Sequence, residues 1–176
     1  MKSFTAPVAK PIPTRATGAT SRVVGRLRDD ATAIFVHDRV LDQILDFSHR
    51  DLRRETGGFL IGGVFIDERP YVEIRAFLPA SETRSGSASL RFTHETWSNL
   101  NHRVGERFPK ERVLGWHHTH PGLGVFLSSH DLFIHRNFFT QSWQVAMVVD
   151  PRARCFSFFQ WQGRAIVDCG FVCVSQ

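Results

Sequence analysis

From Ala33 onward, short apolar runs alternate with amphipathic stretches along the chain. The run AIFV reads as a first strand, and Asp38 follows at an N-cap position. Val40, Leu41, Ile44, Leu45 and Leu52 then recur at the spacing of a helix with one apolar face. That helix leads to Glu55 and the segment ETGGFLIGGVF, whose two Gly pairs predict a buried strand tolerant of close backbone approach. YVEIRAFL (71–78) alternates and predicts a partner strand, before a polar, Ser- and Gly-rich loop over 79–91. HETWSNLNHRVGERF (94–108) predicts a second helix, VLGWHHTH a strand, and SSHDLFIHRNFF (128–139) a third helix. WQVAMVVD, RCFSFFQW and AIVDCGFVCV predict the closing strands. Mixed strands and helices of this kind imply an α/β layered domain over 31–176, without internal repeats or a second domain. Residues 1–30, rich in Pro, Thr, Ala and Arg and lacking periodicity, predict a flexible basic tail.

Composition narrows the function classes. At 42% hydrophobic and 22% charged, the 176 residues are neither a disordered chain, a collagen, nor a disulfide scaffold. The net charge of +5 suggests an anionic partner until the charges are located. Residues 1–28 hold six basic side chains and no acid, which leaves 16 basic against 17 acidic residues beyond them. A near-neutral body predicts no nucleic-acid partner. No apolar stretch approaches the roughly 20 residues of a membrane span, which predicts no membrane partner either. Three cysteines without a CxxC pair favour a reducing, cytoplasmic setting, with Cys169 and Cys173 as small buried hydrophobes.

The chemistry concentrates in GWHHTHPGLGVFLSSHD (115–131). His118 and His120 are two apart on a predicted strand, so their side chains share one face, and His117 points to the other. Pro121 and Gly122 turn the chain, and Ser128 and Asp131 share a face at the start of a helix. Two His and one carboxylate form the ligand set of a catalytic zinc with one position left for water, whose pKa such an ion lowers to about 7. Glu55 is the candidate general acid/base. Either motif alone is weak, since SxxD is very often only a helix cap. His130 and His135 are expected at solvated helix positions.

At these residues the sequence resembles the JAMM (MPN+, JAB) metallopeptidase family. The family pattern of Glu in ExxGxLxG, then HxHP, then SxxD is matched by ETGGFLIG (55–62), HTHP (118–121) and SSHD (128–131). The resemblance covers roughly residues 33–174. It implies a three-layer mixed sheet flanked by helices, similar to the cytidine deaminase architecture. It also implies that His118, His120 and Asp131 bind one catalytic Zn²⁺, that Glu55 moves a proton from the attacking water to the departing amine, and that Ser128 donates to the oxyanion.

The family's substrates imply cleavage after the C-terminal glycine of ubiquitin or a ubiquitin-like protein, in deconjugation or in precursor maturation. By position, 79–91 matches a family insertion beside the groove that takes the extended tail. Leu123, Val125 and Phe126 are candidates to contact that tail, with a core role for at least one equally open. Little follows VVDP (148–151) beyond two strands, so the chain is most similar to small bacterial JAB proteins. Those act in ubiquitin-like deconjugation within antiphage defence operons or in sulfur-carrier processing, which implies operon-encoded E1- and E2-like partners. Two alternatives stay open: a zinc amidohydrolase acting on sulfur-carrier or small-molecule adducts, and a non-catalytic MPN binding module.

Overall fold

A computed structural model describes residues 6–80 and 94–175, with side chains in the second span from 97 onward. The described residues form β1 (Val8–Ala9), β2 (Thr20–Val24), β3 (Ala33–His37), α1 (Asp38–Ser48), β4 (Gly57–Ile66), β5 (Pro70–Pro79) and α2 (His94–Arg107). They continue with β6 (Arg112–Thr119), α3 (Ser129–Phe138), β7 (Val145–Asp150), β8 (Cys155–Gln162), β9 (Ala165–Cys169) and β10 (Phe171–Ser175). One mixed sheet runs in the order β2-β10-β3-β5-β4-β6-β7-β8-β9, and β1 lies parallel to the end of β4. β9 ends that order and β10 lies one strand in from the other end, yet only Gly170 separates them. The sheet must therefore curl until its ends meet, and Phe158 and Phe171 pack across the closure with ring centroids 5.0 Å apart.

Strand alternation feeds two cores, one on each face. Val145, Met147 and Val149 of β7 join Val40, Leu41 and Ile44 of α1, while Ala146 and Val148 join Leu100 and Val104 of α2 and Ile134 of α3. This is the expected three-layer α/β arrangement, with α1 against one face and α2 and α3 against the other. Burying each large apolar side chain contributes about 1.5–3 kcal/mol.

Four expectations change. The first helix ends at Ser48 rather than running to Leu52, which is exposed in the loop beyond it, and Asp38 is the first helical residue rather than the cap. The apolar run AIVDCGFVCV is two strands with different partners, β9 on β8 and β10 between β2 and β3. Gly170 breaks the run because a Cβ there would sit 2.5 Å from the Val24 carbonyl oxygen, and its N–H donates to the Arg26 carbonyl at 2.6 Å. The loop expected over 79–91 begins after β5, and its remainder from 81 lies outside the described residues.

The fourth change concerns the N-terminal segment. The flexible-tail reading is corrected for residues 8–24. β2 pairs antiparallel with the whole of β10, from Thr20 opposite Ser175 to Val24 opposite Phe171. Tyr71 donates its hydroxyl to the carbonyls of Lys10 and Pro11, at 3.1 and 2.9 Å. The basic side chains are drawn in as well. Lys10 pairs with the buried Glu73, Arg15 with Asp67 and Glu68, and Arg28 with Asp168. A five-residue strand whose partner lies about 150 residues away leaves no periodic signal within its own window.

Candidate metal centre

β6 runs between β4 and β7 and is buried on both faces, so the direction of each side chain decides its surroundings. His117 faces α1. Its Nε2 lies 2.9 Å from Ser48 Oγ, and its ring packs edge-on against Phe47 and Phe77. His118, one residue on, faces the α3 side and lies flat on Trp116, with centroids 4.3 Å apart and planes 12° apart. His120 follows just past the strand. Its N–H donates to the Val149 carbonyl at 2.8 Å, and its ring meets that of Phe126.

The chain then turns through Gly122 and Gly124, which take φ of +77° and +90°, a region that disfavours side chains with a Cβ. Asp150, at the end of β7, holds this turn by accepting from both glycine amides at 2.9 Å. Those amides, Gly122 first, bring its carboxyl down to about 2. The turn delivers the start of α3. There Ser128 Oγ accepts from the Asp131 N–H at 3.2 Å while Asp131 Oδ2 accepts from the Ser128 N–H at 2.7 Å, a complete capping box.

The same Oδ2 of Asp131 faces both imidazoles, 3.4 Å from His118 Nε2 and 3.5 Å from His120 Nε2. All three residues are buried, and their ligand-capable atoms lie within 4.8 Å of one another, a cluster able to hold a metal ion. Glu55 arrives by extension of the β4–β6 ladder. Gly57 pairs with His118, the Thr119 N–H donates to the Thr56 carbonyl at 2.8 Å, and the Thr56 N–H donates to Thr119 Oγ1 at 2.9 Å. Its Oε1 lies 4.0 Å from His120 Nε2, on the exposed side of the cluster.

The electrostatics suit a cation. Burial would raise the Asp131 carboxyl, but His118 and then His120 outweigh it and hold the group well below the usual carboxylate range. Burial pushes the His118 imidazole down toward the neutral, ligating form. For His120 burial acts the same way, yet Asp131 and then Glu55 carry the balance upward. Among the described residues, His118 Nδ1 and Nε2 and His120 Nδ1 are buried without a hydrogen-bond partner, whereas buried polar atoms are nearly always satisfied.

Residues 29–141 match the family described as JAB1/Mov34/MPN/PAD-1 ubiquitin protease. The chain belongs to the JAB family. Over 127 residues it is 32% identical to the 26S proteasome non-ATPase regulatory subunit 14 of Dictyostelium discoideum, across 71% of this chain and 40% of that protein. Over 128 residues it is 27% identical to the ubiquitin carboxyl-terminal hydrolase RPN11 of Saccharomyces cerevisiae, across 70% of this chain and 40% of that protein. The chain thus spans about two-fifths of the length of these relatives. Its fold is similar to the solution structure of protein DSY2949 from Desulfitobacterium hafniense, with a TM-score of 0.55 at 19% identity over 77% of this chain and 88% of that one.

Within this JAB domain, all five residues singled out for chemistry converge, and His117 points away as the strand period requires. The three apolar residues of the turn divide. Leu123 and Phe126 are exposed, whereas Val125 packs against the second core. His130 is exposed as expected, but His135 is corrected: it is fully buried and accepts from Trp116. Asp150 and Trp116 also support the site. The i, i+4 spacing of Asp131 and His135 and the i, i+2 spacing of Trp116 and His118 are the signals that place His135 and Trp116 beside it, whereas no local spacing marks Asp150. Cys169 and Cys173 are buried free thiols. Among the described residues, no helix is long and apolar enough to cross a membrane.

Proposed function

We propose that this JAB domain is a zinc-dependent isopeptidase that cleaves after the C-terminal glycine of ubiquitin or a ubiquitin-like protein. The convergence of His118, His120 and Asp131 beside an exposed Glu55 carries the reading. Ligand atoms about 2.0–2.2 Å from a tetrahedral zinc lie about 3.3–3.6 Å apart. The 3.4 and 3.5 Å separations from Asp131 Oδ2 to the two imidazoles fit that spacing. Among the described residues His118 Nε2 has no hydrogen-bond partner, which suits a ligand atom equally well. The family description and the name of the yeast relative supply the substrate class.

When bound, zinc supplies a nucleophilic water at neutral pH and polarises the scissile carbonyl. His118, His120 and Asp131 hold it, and Glu55 takes the proton from the attacking water and passes it to the leaving amine. Such general acid–base assistance contributes about 10²–10⁴-fold. Ser128 Oγ accepts from the Asp131 N–H, and its hydroxyl, which also helps to hold the Asp131 carboxyl down, is the oxyanion donor of this reading. Leu123 and Phe126 offer exposed apolar surface to an extended tail, with Val125 anchoring the turn behind them. The expected cellular setting is cytoplasmic, with E1- and E2-like partners.

Cleavage of ubiquitin and ubiquitin-like fusions by the zinc-loaded protein tests the reading. Glu55→Gln is expected to keep one zinc per chain and lose about 10²–10⁴ in kcat. Full activity in that variant, or a wild-type protein that takes up no zinc, refutes the mechanism.

A further inference from the structure

His118 of β6 and Asp131 of α3 supply two of the clustered atoms, and a second contact joins the same two elements alongside. Trp116 and His118 share a face of β6, while Asp131 and His135 share a face of α3. His118 therefore meets Asp131, and Trp116 meets His135, its indole Nε1–H donating to His135 Nδ1 at 3.1 Å. Both partners are sealed from water, Trp116 at 1% exposure and His135 at 0%. Burial brings His135 down to about 4, so the ring is neutral, and an accepting Nδ1 leaves its single proton on Nε2.

A metal-binding imidazole ordinarily donates its remaining N–H to a carboxylate or carbonyl, which fixes the ring plane. His118 Nδ1 has no such partner among the described residues. Its ring instead lies on the indole of Trp116. Whatever fixes the indole therefore fixes the ligand. Resting on the zinc reading, we infer that His135 is a positioning residue for the metal centre. By accepting from Trp116 it holds the indole flat against His118 and sets the separation of β6 and α3, and with it the spread of the ligand atoms.

His135→Phe, His135→Gln and Trp116→Phe, each made in the whole 176-residue chain and first shown to be folded by circular dichroism, test this. The readouts are zinc affinity by chelator competition and the visible absorption of the cobalt-substituted protein. His135→Phe keeps a ring stacked on Phe139 but removes the acceptor. It is expected to bind zinc about 10- to 100-fold more weakly, the usual cost of losing such a support, with displaced cobalt bands. Trp116→Phe removes the donor and is expected to fall similarly, and it decides the question if His135→Phe does not fold. His135→Gln restores an acceptor and is expected to stay near wild type. Unchanged zinc affinity and cobalt bands in the folded Phe variants overturn the inference, as does a His135→Gln as weak as His135→Phe. A wild type that binds no zinc would instead refute the zinc reading itself.

Discussion

His117 and His118 are adjacent on one buried strand, and their surroundings are opposite in kind. On the α1 side, His117 meets a serine hydroxyl and two phenyl rings, and burial pushes its imidazole down to about 3. On the α3 side, His118 meets a carboxylate and a second imidazole, and both of its nitrogens lack a hydrogen-bond partner among the described residues. Burial is common to both, so burial does not mark a metal ligand. An unpartnered nitrogen does not either, since His117 Nδ1 also lacks a partner among the described residues; convergence with an acid and a second imidazole does. The opposed faces of one strand let a single dipeptide serve a core and a site.

The contrast is broken most severely by removing a ligand. His118→Ala is expected to abolish stoichiometric zinc and lower activity by roughly 10⁴-fold or more, a large part of the acceleration enzymes typically achieve. His117→Phe is expected to keep full zinc occupancy and kcat, losing about 1 kcal/mol of stability with its serine partner. Elemental analysis and denaturation of both proteins make the comparison. If His117→Phe also lost its metal, the division of the strand by face would fail.

The serines repeat the contrast at smaller scale. Ser48 donates to the Ile44 carbonyl within α1, whereas Ser128 caps α3 beside the clustered ligands. Ser128→Ala is expected to lose about 10²–10³ in kcat as an oxyanion donor, together with about 1 kcal/mol of helix capping. Ser48→Ala is expected to alter stability alone. Equal kcat in the two variants would remove Ser128 from the mechanism.

Acid sharpens the comparison through His117. Its folded pKa of about 3 lies below the ordinary value of 6.5, so between these the unfolded chain binds a proton that the folded chain does not. Stability is therefore fully present above about pH 6.5 and falls as pH drops toward 3, by about 1.4 kcal/mol per unit for this one group. Urea denaturation of metal-free protein at pH 7.5 and 5.5 should show this loss, and His117→Phe should reduce it. A variant with an unchanged pH slope would mean that the slope arises elsewhere.

The smallest effect on the site is expected from the N-terminal segment. Deleting residues 1–28 strips β2 from β10 and Lys10 from Glu73, remote from Asp131 and the two ligand histidines. Thermal stability should fall while zinc stoichiometry and kcat persist at a temperature where the truncated chain is folded. A folded truncation without zinc would show that the segment supports the centre.

Local spacing was enough to place His118 and His120 together and His117 apart, because a two-residue step fixes side-chain direction along an extended chain. It was enough to orient Ser128 and Asp131, because the capping box is closed by residues three apart. Only the tertiary structure decided that Thr20–Val24 is an edge strand, since its hydrogen bonds go to residues about 150 positions later. It also decided that Gly170 splits the last apolar run, because the obstacle is the backbone of Val24–Arg26 rather than anything nearby in sequence. His135 shows the same limit. Its helix position was readable, but its burial depends on an indole from another strand. Local spacing fixes where a side chain points, and only the packing of distant segments fixes what it meets there.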